Sequence, residues 1–303
     1  MNYLNLVRYK NLIFIGLMQV FIKYGFFNSI GIDVTLNDFQ LALLVLATVS
    51  IAAAGNIIND IYDVDADIIN KPDKLIVGKK VSEKNAYRIF FTLNVLGVFS
   101  GFLLSNSIGK PGFAALFIII SALLYLYASM LKGILLVGNI LISALIAFSI
   151  LIVGVFDVLP AIDAANFDGQ VVAMKVITHY ACFAFFVNLI REIVKDIEDI
   201  NGDKNGGLNT LPIAIGRSRA TTVVFVLGIL AVVAVIFYMY LFLYASQLLV
   251  TYFLLLVVAP LFYYCVKAYN AEIRKDLSHL SLLLKVIMFF GMCSLPIYYL
   301  VLI

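Results

Sequence analysis

The chain has 303 residues, of which 63% are hydrophobic and 13% are charged, and its formal net charge is +3. Soluble domains usually contain about 25% charged residues, so this composition excludes an ordinary soluble protein and indicates a polytopic membrane protein. The small positive balance gives no reason to expect a nucleic-acid partner.

Runs of about 20 apolar residues, the length that crosses the hydrocarbon core of a bilayer, recur along the whole chain. We predict an all-α fold of nine transmembrane helices in one bundle, with a single domain over 1–303 because no polar segment is long enough for a second one. The predicted spans are 12–32, 41–61, 86–106, 112–130, 134–156, 172–193, 219–243, 247–267 and 283–303. The first run follows Arg8 and Lys10 and is long enough to span, so we expect it to remain as the first helix rather than to be cleaved.

Lys and Arg are distributed unequally over the predicted loops. With the N-terminus in the cytoplasm, 18 of the 21 basic residues fall on the inner side, whereas Lys23 lies within the first span. We therefore expect a multi-pass protein of the cell (plasma) membrane with its C-terminus outside. All three cysteines fall in predicted spans, so neither disulfides nor zinc are expected.

The second predicted span ends in an acidic motif. Asp60, Asp63 and Asp67 are spaced i, i+3 and i+7, which places their carboxylates on one helical face. Asn56 and Asn59 fall within the same arc as Asp63 and Asp67. Such a patch of negative charge repels itself unless cations lie between the oxygens.

The sixth span ends in a second copy of this motif, Asp196, Asp199 and Asp203, and each copy begins one of the two longest polar segments, 62–85 and 195–218. Mg²⁺ prefers one or two carboxylates together with water and phosphate oxygens, so two acidic helices facing each other suit a metal-bound diphosphate. Basic residues that could meet the remaining phosphate oxygens are interleaved with the motifs, namely Lys74, Lys132, Arg191 and Lys195.

The two motifs and their flanking residues resemble the paired signature of the UbiA superfamily of intramembrane prenyltransferases. The matching segments are Arg8-x-x-Asn11, Asn59-Asp60-Ile-Tyr-Asp63-x-x-x-Asp67, Asn70-x-Pro72-Asp73-Lys74, Tyr127-x-Ser129-x-x-Lys132, Lys195-Asp196-Ile-Glu-Asp199-x-x-Gly202-Asp203 and Thr210-Leu211-Pro212. The chain departs from the family at Lys74-Leu75, where Arg-Pro is common, and at Tyr9, where proline is common. Lysine supplies charge at such a position but no bidentate fork.

The resemblance implies a nine-helix bundle around a central cavity that opens sideways to lipid, with Mg²⁺ and an isoprenyl diphosphate at its cytoplasmic end. It implies that Asn59, Asp63 and Asp67 hold one metal. Asp196 and Asp199 would hold the other, with Asp60 and Asp203 in support. The residues implied to meet the diphosphate or to orient the carboxylates are Lys74, Lys132, Arg191 and Lys195.

Further candidate substrate-binding residues in these segments are Arg8, Asn11, Asn56 and Ser129. Aromatic faces can stabilise an allylic cation, which makes Tyr62, Tyr125 and Tyr127 candidates beside the site. Tyr125 and Tyr127 are two positions apart, so only one of them can face a given direction on a helix, and we favour Tyr127.

The function implied by the resemblance is Mg²⁺-dependent transfer of a long isoprenyl group, geranylgeranyl, from its diphosphate to a lipophilic acceptor. The start of the chain and the compact first motif are most like the branch that acts on geranylgeranylglyceryl phosphate. An aromatic acceptor, as in quinone or haem side-chain biosynthesis, is the alternative, and a cyclising membrane relative stays open. Neither the chain length of the donor nor the oligomeric state follows from the sequence.

An ion-coupled transporter is a more distant alternative. Its coupling carboxylates should lie near the bilayer midplane, whereas both acidic motifs here stand at the ends of their spans. A soluble isoprenyl diphosphate synthase with acidic motifs is opposed by the hydropathy of the chain.

Overall fold

The apolar runs fold into helices, and the computed structural model describes residues 2–73 and 75–302, with side-chain burial described as far as residue 298. The α-helices in chain order are α1 (Asn2–Leu6), α2 (Tyr9–Val20), α3 (Asp38–Tyr62), α4 (Val64–Asn70), α5 (Glu83–Ser107), α6 (Ala114–Ser129), α7 (Val137–Asp157), α8 (Phe167–Asn205), α9 (Leu211–Ile215), α10 (Arg217–Tyr238), α11 (Gln247–Phe253), α12 (Ala259–Tyr269), α13 (Arg274–Cys293) and α14 (Leu295–Leu302). Three π-helical stretches continue α2, α10 and α11, namely Phe21–Phe27, Met239–Leu243 and Leu254–Val258. The described residues contain no β-strand, in agreement with the predicted all-α class.

Eight helical segments of the described chain are long and apolar enough to cross a membrane. They are Asp38–Tyr62, Glu83–Ser107, Pro111–Ser129, Val137–Ala161, Phe167–Asn205, Arg217–Leu243, Gln247–Tyr269 and Arg274–Tyr298, which correspond to the second to ninth predicted spans. The first predicted span, 12–32, is helical only as far as Phe27 and contains the polar residues Gln19 and Lys23. The multi-pass helical fold is confirmed, and the count of nine stays a prediction.

Helix α8, which corresponds to the sixth predicted span, is much longer than predicted. The predicted span covers 172–193, whereas α8 continues to Asn205 and has 39 residues. Its apolar face persists beyond the predicted end, since Val194 and Ile197 are buried against the bundle. The second acidic motif therefore belongs to a continuous helix and does not begin a loop.

The first acidic motif is carried by two helices. α3 ends at Tyr62, Asp63 leaves the helical conformation with φ −91° and ψ 0°, and α4 restarts at Val64. α3 packs along α5 and α6, and α5 and α6 approach closely because Gly101 leaves room for the ring of Phe117. This packing fixes α3, and with it the start of the motif, in the wall of the bundle.

A buried ion pair closes the end of the bundle opposite to the acidic motifs. Lys23 Nζ lies 3.0 Å from Asp157 Oδ2, and both side chains are almost fully shielded from solvent. The ammonium also donates to the carbonyl oxygen of Leu36 at 2.5 Å, and the N–H of Leu36 donates to Asp157 Oδ1 at 2.7 Å. The pair ties the first helix, the loop before α3 and the end of α7 together.

Replacing Lys23 by methionine should lower the free energy of unfolding by about 3–5 kcal/mol, because Asp157 would be left as a buried charge without its cation. The double variant Lys23→Met/Asp157→Leu should lose less of its free energy of unfolding, since both charges are then absent. Denaturant unfolding of the purified proteins in one mixed-micelle system measures the stabilities. Equal losses in the single and double variants would contradict this account.

Candidate active site

One face of α3 and α4 forms a wall of a cavity of about 540 Å³. Asn56 and Asn59 on α3, Asp63 at the break between the helices and Asp67 on α4 all line this cavity. Successive members are three or four positions apart, so they follow one helical face, as the spacing predicts. Asn59 Nδ2 donates to Asp63 Oδ2 at 2.6 Å, which orients that carboxylate.

The facing wall of the same cavity is formed by α8. The predicted residues of α8 that line it are Arg191, Lys195, Asp196, Asp199 and Asp203. Asn139 of α7 donates through its amide to Asp196 Oδ2 at 2.7 Å, an orienting contact that no spacing in the sequence pointed to. The two acidic motifs, far apart in the chain, thus share one cavity.

Asn70, the last residue of α4, fastens the two motifs to each other. Its Nδ2 donates to the carbonyl oxygen of Asp199 at 2.9 Å, and its Oδ1 accepts from the N–H of Gly202 at 2.9 Å. A Cβ atom at Gly202 would lie 2.6 Å from the carbonyl oxygen of Ala66, closer than carbon and oxygen atoms approach without a shift of the backbone. Glycine at this position is therefore what allows α4 and α8 to meet.

Two of the predicted cations lie on the first motif. Arg8 Nη2 is 2.7 Å from Asp60 Oδ1, and Lys132, in the turn between α6 and α7, contacts the carboxylate of Asp63. Burial lowers the pKa of Lys132 to about 8, although nearby carboxylates oppose the change. With this pKa, Lys132 is still protonated in most molecules near pH 7. A phosphate that reached Lys132 would further favour its protonated form.

Two further cations, to which the sequence analysis gave no role, converge on the second motif. Lys71 Nζ lies 2.5 Å and Arg274 Nη2 lies 3.0 Å from the carboxylate of Asp199. The Arg274 guanidinium also donates to the carbonyl oxygen of Asn70 and lies 3.6 Å from Glu198. Arg274 begins α13, nine residues before the predicted start of the ninth span, and no pattern in the sequence connects it with α8.

Glu192 holds the two cations of α8 in place. Arg191 Nη1 lies 3.0 Å from its Oε1, and Lys195 Nζ lies 2.9 Å from its Oε2. All three side chains line the cavity. Glu192 lies outside the triad spacing, so its role does not follow from the motifs in the sequence.

Only one of the two predicted tyrosines of α6 reaches the cavity. Tyr127 lines it, whereas the Tyr125 side chain is exposed and its hydroxyl lies 3.2 Å from that of Tyr62. Ser129 donates to the carbonyl oxygen of Tyr125 and is also absent from the wall. Residues 125 and 129 are one helical turn apart and share a face, while residue 127 points to the other side.

Of the other predicted residues, two line the cavity and one lies beside it. Arg8, between α1 and α2, and Asn11 of α2 line the cavity. Asp60 is not part of the wall and instead pairs with Arg8 beside it, so its position suits the supporting role and not that of a ligand. Lys74 lies outside the described residues.

The oxygen atoms of the two walls fit Mg²⁺. Asn59 Oδ1 is buried, has no hydrogen-bond partner among the described residues and lies beside Asp63, so it is available to a cation. Burial raises the pKa of Asp67, a cost that a divalent ion would offset. In the part of the chain that the structure describes, no three acidic, histidine or cysteine side chains group closely enough to hold a metal by themselves. Carboxylate and amide oxygens are hard ligands of the kind that Mg²⁺ prefers, and Mg²⁺ takes its other ligands from water and phosphate oxygens.

Comparisons with known proteins agree with this architecture. A UbiA homologue from Archaeoglobus fulgidus, solved with DMAPP and Mg²⁺, superposes with a TM-score of 0.59 at 18% identity over 97% of this chain and 99% of its own. A UbiA homologue from Aeropyrum pernix K1, solved without ligand, gives a TM-score of 0.62 at 17% identity over 95% of this chain and 93% of its own. At these identities the likeness establishes the fold.

Sequence comparisons extend the likeness to the family. The chain is 34% identical to a digeranylgeranylglyceryl phosphate synthase of Methanosarcina mazei over 76% of both chains. It is 31% identical to a protein of the same name from Methanococcoides burtonii over 96% of this chain and 97% of the other. A model of the UbiA prenyltransferase family matches residues 23–293. Residues of both acidic motifs line one cavity, and the chain belongs to the UbiA prenyltransferase family.

Proposed function

We propose that this prenyltransferase transfers a geranylgeranyl group from geranylgeranyl diphosphate to geranylgeranylglyceryl phosphate, with Mg²⁺ as cofactor. A relative named digeranylgeranylglyceryl phosphate synthase matches 96% of the chain, and the Archaeoglobus homologue was solved with an isoprenyl diphosphate and Mg²⁺. The observation that carries the proposal is the cavity itself. Carboxylate-bearing helices face each other at one end of it, and most of the other lining side chains are apolar.

The residues proposed to hold Mg²⁺ are those of the two facing motifs, namely Asn59, Asp63, Asp67, Asp196, Asp199 and Asp203. Bound there, Mg²⁺ would neutralise charge on the departing pyrophosphate and so ease the cleavage of the allylic C–O bond. Asn139 keeps one carboxylate oriented, and Asn70 keeps the two walls at a fixed separation. The protein thus supplies a positioned set of oxygen ligands before any substrate binds.

The chain's cations would bind the phosphate oxygens that no metal reaches. Lys132 approaches from the turn before α7, and Arg191 and Lys195 approach from α8, where Glu192 orients them. Their charge favours the pyrophosphate over the intact ester, since negative charge on the leaving group grows as the bond breaks.

The apolar part of the cavity suits the isoprenyl tail and the allylic cation. Leu124, Phe148 and Ile152 contribute to this part of the wall. Burial of hydrocarbon contributes about 0.8 kcal/mol per methylene, so a long tail binds firmly without specific hydrogen bonds. The ring of Tyr127 lines the polar end and can stabilise positive charge on the allylic carbon, while the apolar wall excludes the water that would quench it.

The proposal also assigns a membrane face. Arg8, Lys71, Lys132 and Arg274 come from separate segments and meet at one end of the bundle. Basic residues concentrate on the cytoplasmic side of membrane proteins, which supports a cytoplasmic N-terminus and an active site at the cytoplasmic face of the plasma membrane.

Purified protein incubated with geranylgeranyl diphosphate, geranylgeranylglyceryl phosphate and Mg²⁺ should release pyrophosphate and form the doubly prenylated ether, identified by mass spectrometry. EDTA should stop both, because the metal is needed for ionisation. In sealed vesicles, added diphosphate should be consumed when the cytoplasmic face is outward and spared in the opposite orientation.

Two outcomes would contradict the proposal. Consumption of the diphosphate with an aromatic acceptor but not with geranylgeranylglyceryl phosphate would favour quinone or haem side-chain biosynthesis. Product formation that persists in EDTA would remove the proposed role of the metal. A mass-spectrometric scan of several acceptors in one reaction separates these cases.

A further inference from the structure

A second chamber of about 190 Å³ lies beside the first cavity, between α2, α7, α8, α10 and α13. Most of its wall is apolar, with Phe14, Phe183, Val235 and Met288 among the lining residues. It shares part of its wall with the first cavity, namely Asn11, Ile15, Ile146, Ser149 and Arg191. The two spaces are therefore neighbours across one layer of side chains.

The rim that the chamber shares with the cavity is polar and cationic. Lys285 Nζ donates to Asn11 Oδ1 at 2.5 Å, and in the described part of the chain no carboxylate lies within ion-pair distance of this ammonium. Arg191 faces the same space, and its Nε is buried without a hydrogen-bond partner among the described residues. Lys285 differs in this respect from the cations around the acidic motifs, Arg191 included, since each of those contacts a carboxylate.

An ammonium group inside a membrane bundle is costly unless an anion or a strong dipole accompanies it. Lys285 has only a neutral amide as its partner, and the free N–H of Arg191 adds a second unsatisfied donor to the rim. A phosphate monoester would accept from both groups through short charge-assisted hydrogen bonds. The apolar wall below would take a hydrocarbon chain. The chamber therefore fits an anionic amphiphile.

We propose that Asn11, Arg191 and Lys285 bind the phosphate of the acceptor lipid, and that the second chamber takes the adjoining part of its isoprenyl chain. The inference rests on the proposed function and adds the place where the acceptor binds. Lys285 lies outside both acidic motifs and outside every segment that carries the family resemblance.

The arrangement gives the two substrates adjoining head-group sites that share Arg191. The first cavity has an apolar wall of its own behind the carboxylates, including Phe117 and Leu124, so the donor's tail does not need the second chamber. Arg191 belongs to both walls, which places the two phosphate groups next to each other. The reaction requires this proximity, because a hydroxyl of the acceptor must reach the first carbon of the donor.

Asn188 offers a contact for that hydroxyl. Its side chain is fully buried in the wall of the chamber, and its Nδ2 donates to Ser143 Oγ at 3.2 Å. Its Oδ1 has no hydrogen-bond partner among the described residues. This oxygen can accept from an alcohol, so the chamber offers an acceptor for the glycerol hydroxyl as well as donors for the phosphate.

The test is the variant Lys285→Gln, compared with Lys275→Gln as a matched control. Lys275 is an exposed lysine on the same helix and belongs to neither cavity. Loss of a charged hydrogen bond should raise the KM for geranylgeranylglyceryl phosphate about 10- to 100-fold and leave the KM for geranylgeranyl diphosphate unchanged. Lys285→Arg should restore most of the affinity, and Lys275→Gln should behave as the wild type.

A second measurement separates binding of the phosphate from a general structural effect. The wild-type enzyme should prefer the phosphorylated acceptor over the same lipid with its phosphate removed, and Lys285→Gln should reduce that preference about 10-fold or more. An unchanged preference, or equal rises in both KM values, would overturn the inference. If the wild type transfers nothing to geranylgeranylglyceryl phosphate, the proposed function itself fails, which is a distinct result.

Discussion

Asp63→Ala and Asp199→Ala should each lower the rate of Mg²⁺-dependent pyrophosphate release by about 1000-fold or more. Asp63 and Asp199 stand on opposite walls of one cavity. The amide of Asn59 and the ammonium of Lys132 hold the Asp63 carboxylate, and Lys71 and Arg274 hold that of Asp199. Removing either carboxylate weakens one of the two proposed metal positions. A metal ion contributes several kcal/mol to the charge stabilisation of a leaving group, and each 1.36 kcal/mol is worth about tenfold in rate.

The measurement is a pyrophosphate-release assay on protein purified from membranes, with yield and elution profile as checks of insertion. Asp65→Ala is the matched control, because Asp65 lies between the motif residues but is exposed and absent from the cavity wall. It should keep nearly full activity. Full activity in either of the first two variants would show that the cavity between the motifs is not the place of reaction.

Gly202→Ala should lower activity by about 100-fold while the protein still inserts. The new Cβ would meet the carbonyl oxygen of Ala66 and the side chain of Asn70, so α4 must move away from α8. That movement also breaks the hydrogen bonds between Asn70 and the second motif. A displacement of about 1 Å in a positioned catalytic set can cost about 100-fold in rate.

Gly169→Ala is the control for this substitution, because it adds the same methyl group to the same helix at a position where a Cβ has only ordinary contacts. It should leave activity within about twofold of the wild type. The Gly202→Ala variant should have a lower kcat, and it should need a higher Mg²⁺ concentration for half of its maximal activity. Unchanged values for both would mean that the contact between α4 and α8 does not set the geometry of the site.

The parts of the site that could be predicted from sequence are those that one helix determines by itself. The positions of Asn56, Asn59, Asp63 and Asp67 along a single face follow from helical spacing, and the structure shows that face on the cavity. The same rule predicted that only one of Tyr125 and Tyr127 faces the cavity, and the structure places Tyr127 there. Membrane spans were predictable because about 20 apolar residues are a physical requirement and not a family convention.

The parts that could not be predicted depend on which helices become neighbours. Arg274 reaches Asp199 and Lys285 reaches Asn11 across most of the chain, and no local spacing encodes such contacts. The length of α8 was missed for a related reason. Hydropathy indicates where a helix leaves the bilayer. The helix α8 continues beyond that point, because residues such as Ile197 are buried against the bundle and stabilise it there.

The same cations that orient the acidic motifs also change the total charge that an incoming ion meets. Because Arg8, Lys71, Lys132 and Arg274 already balance three of the carboxylates, much of the electrostatic attraction for a bare divalent ion is cancelled within the protein. The diphosphate brings the negative charge that is missing. Binding of the donor therefore raises the affinity for Mg²⁺, and binding of Mg²⁺ raises the affinity for the donor. Without the donor, the enzyme binds the ion only weakly.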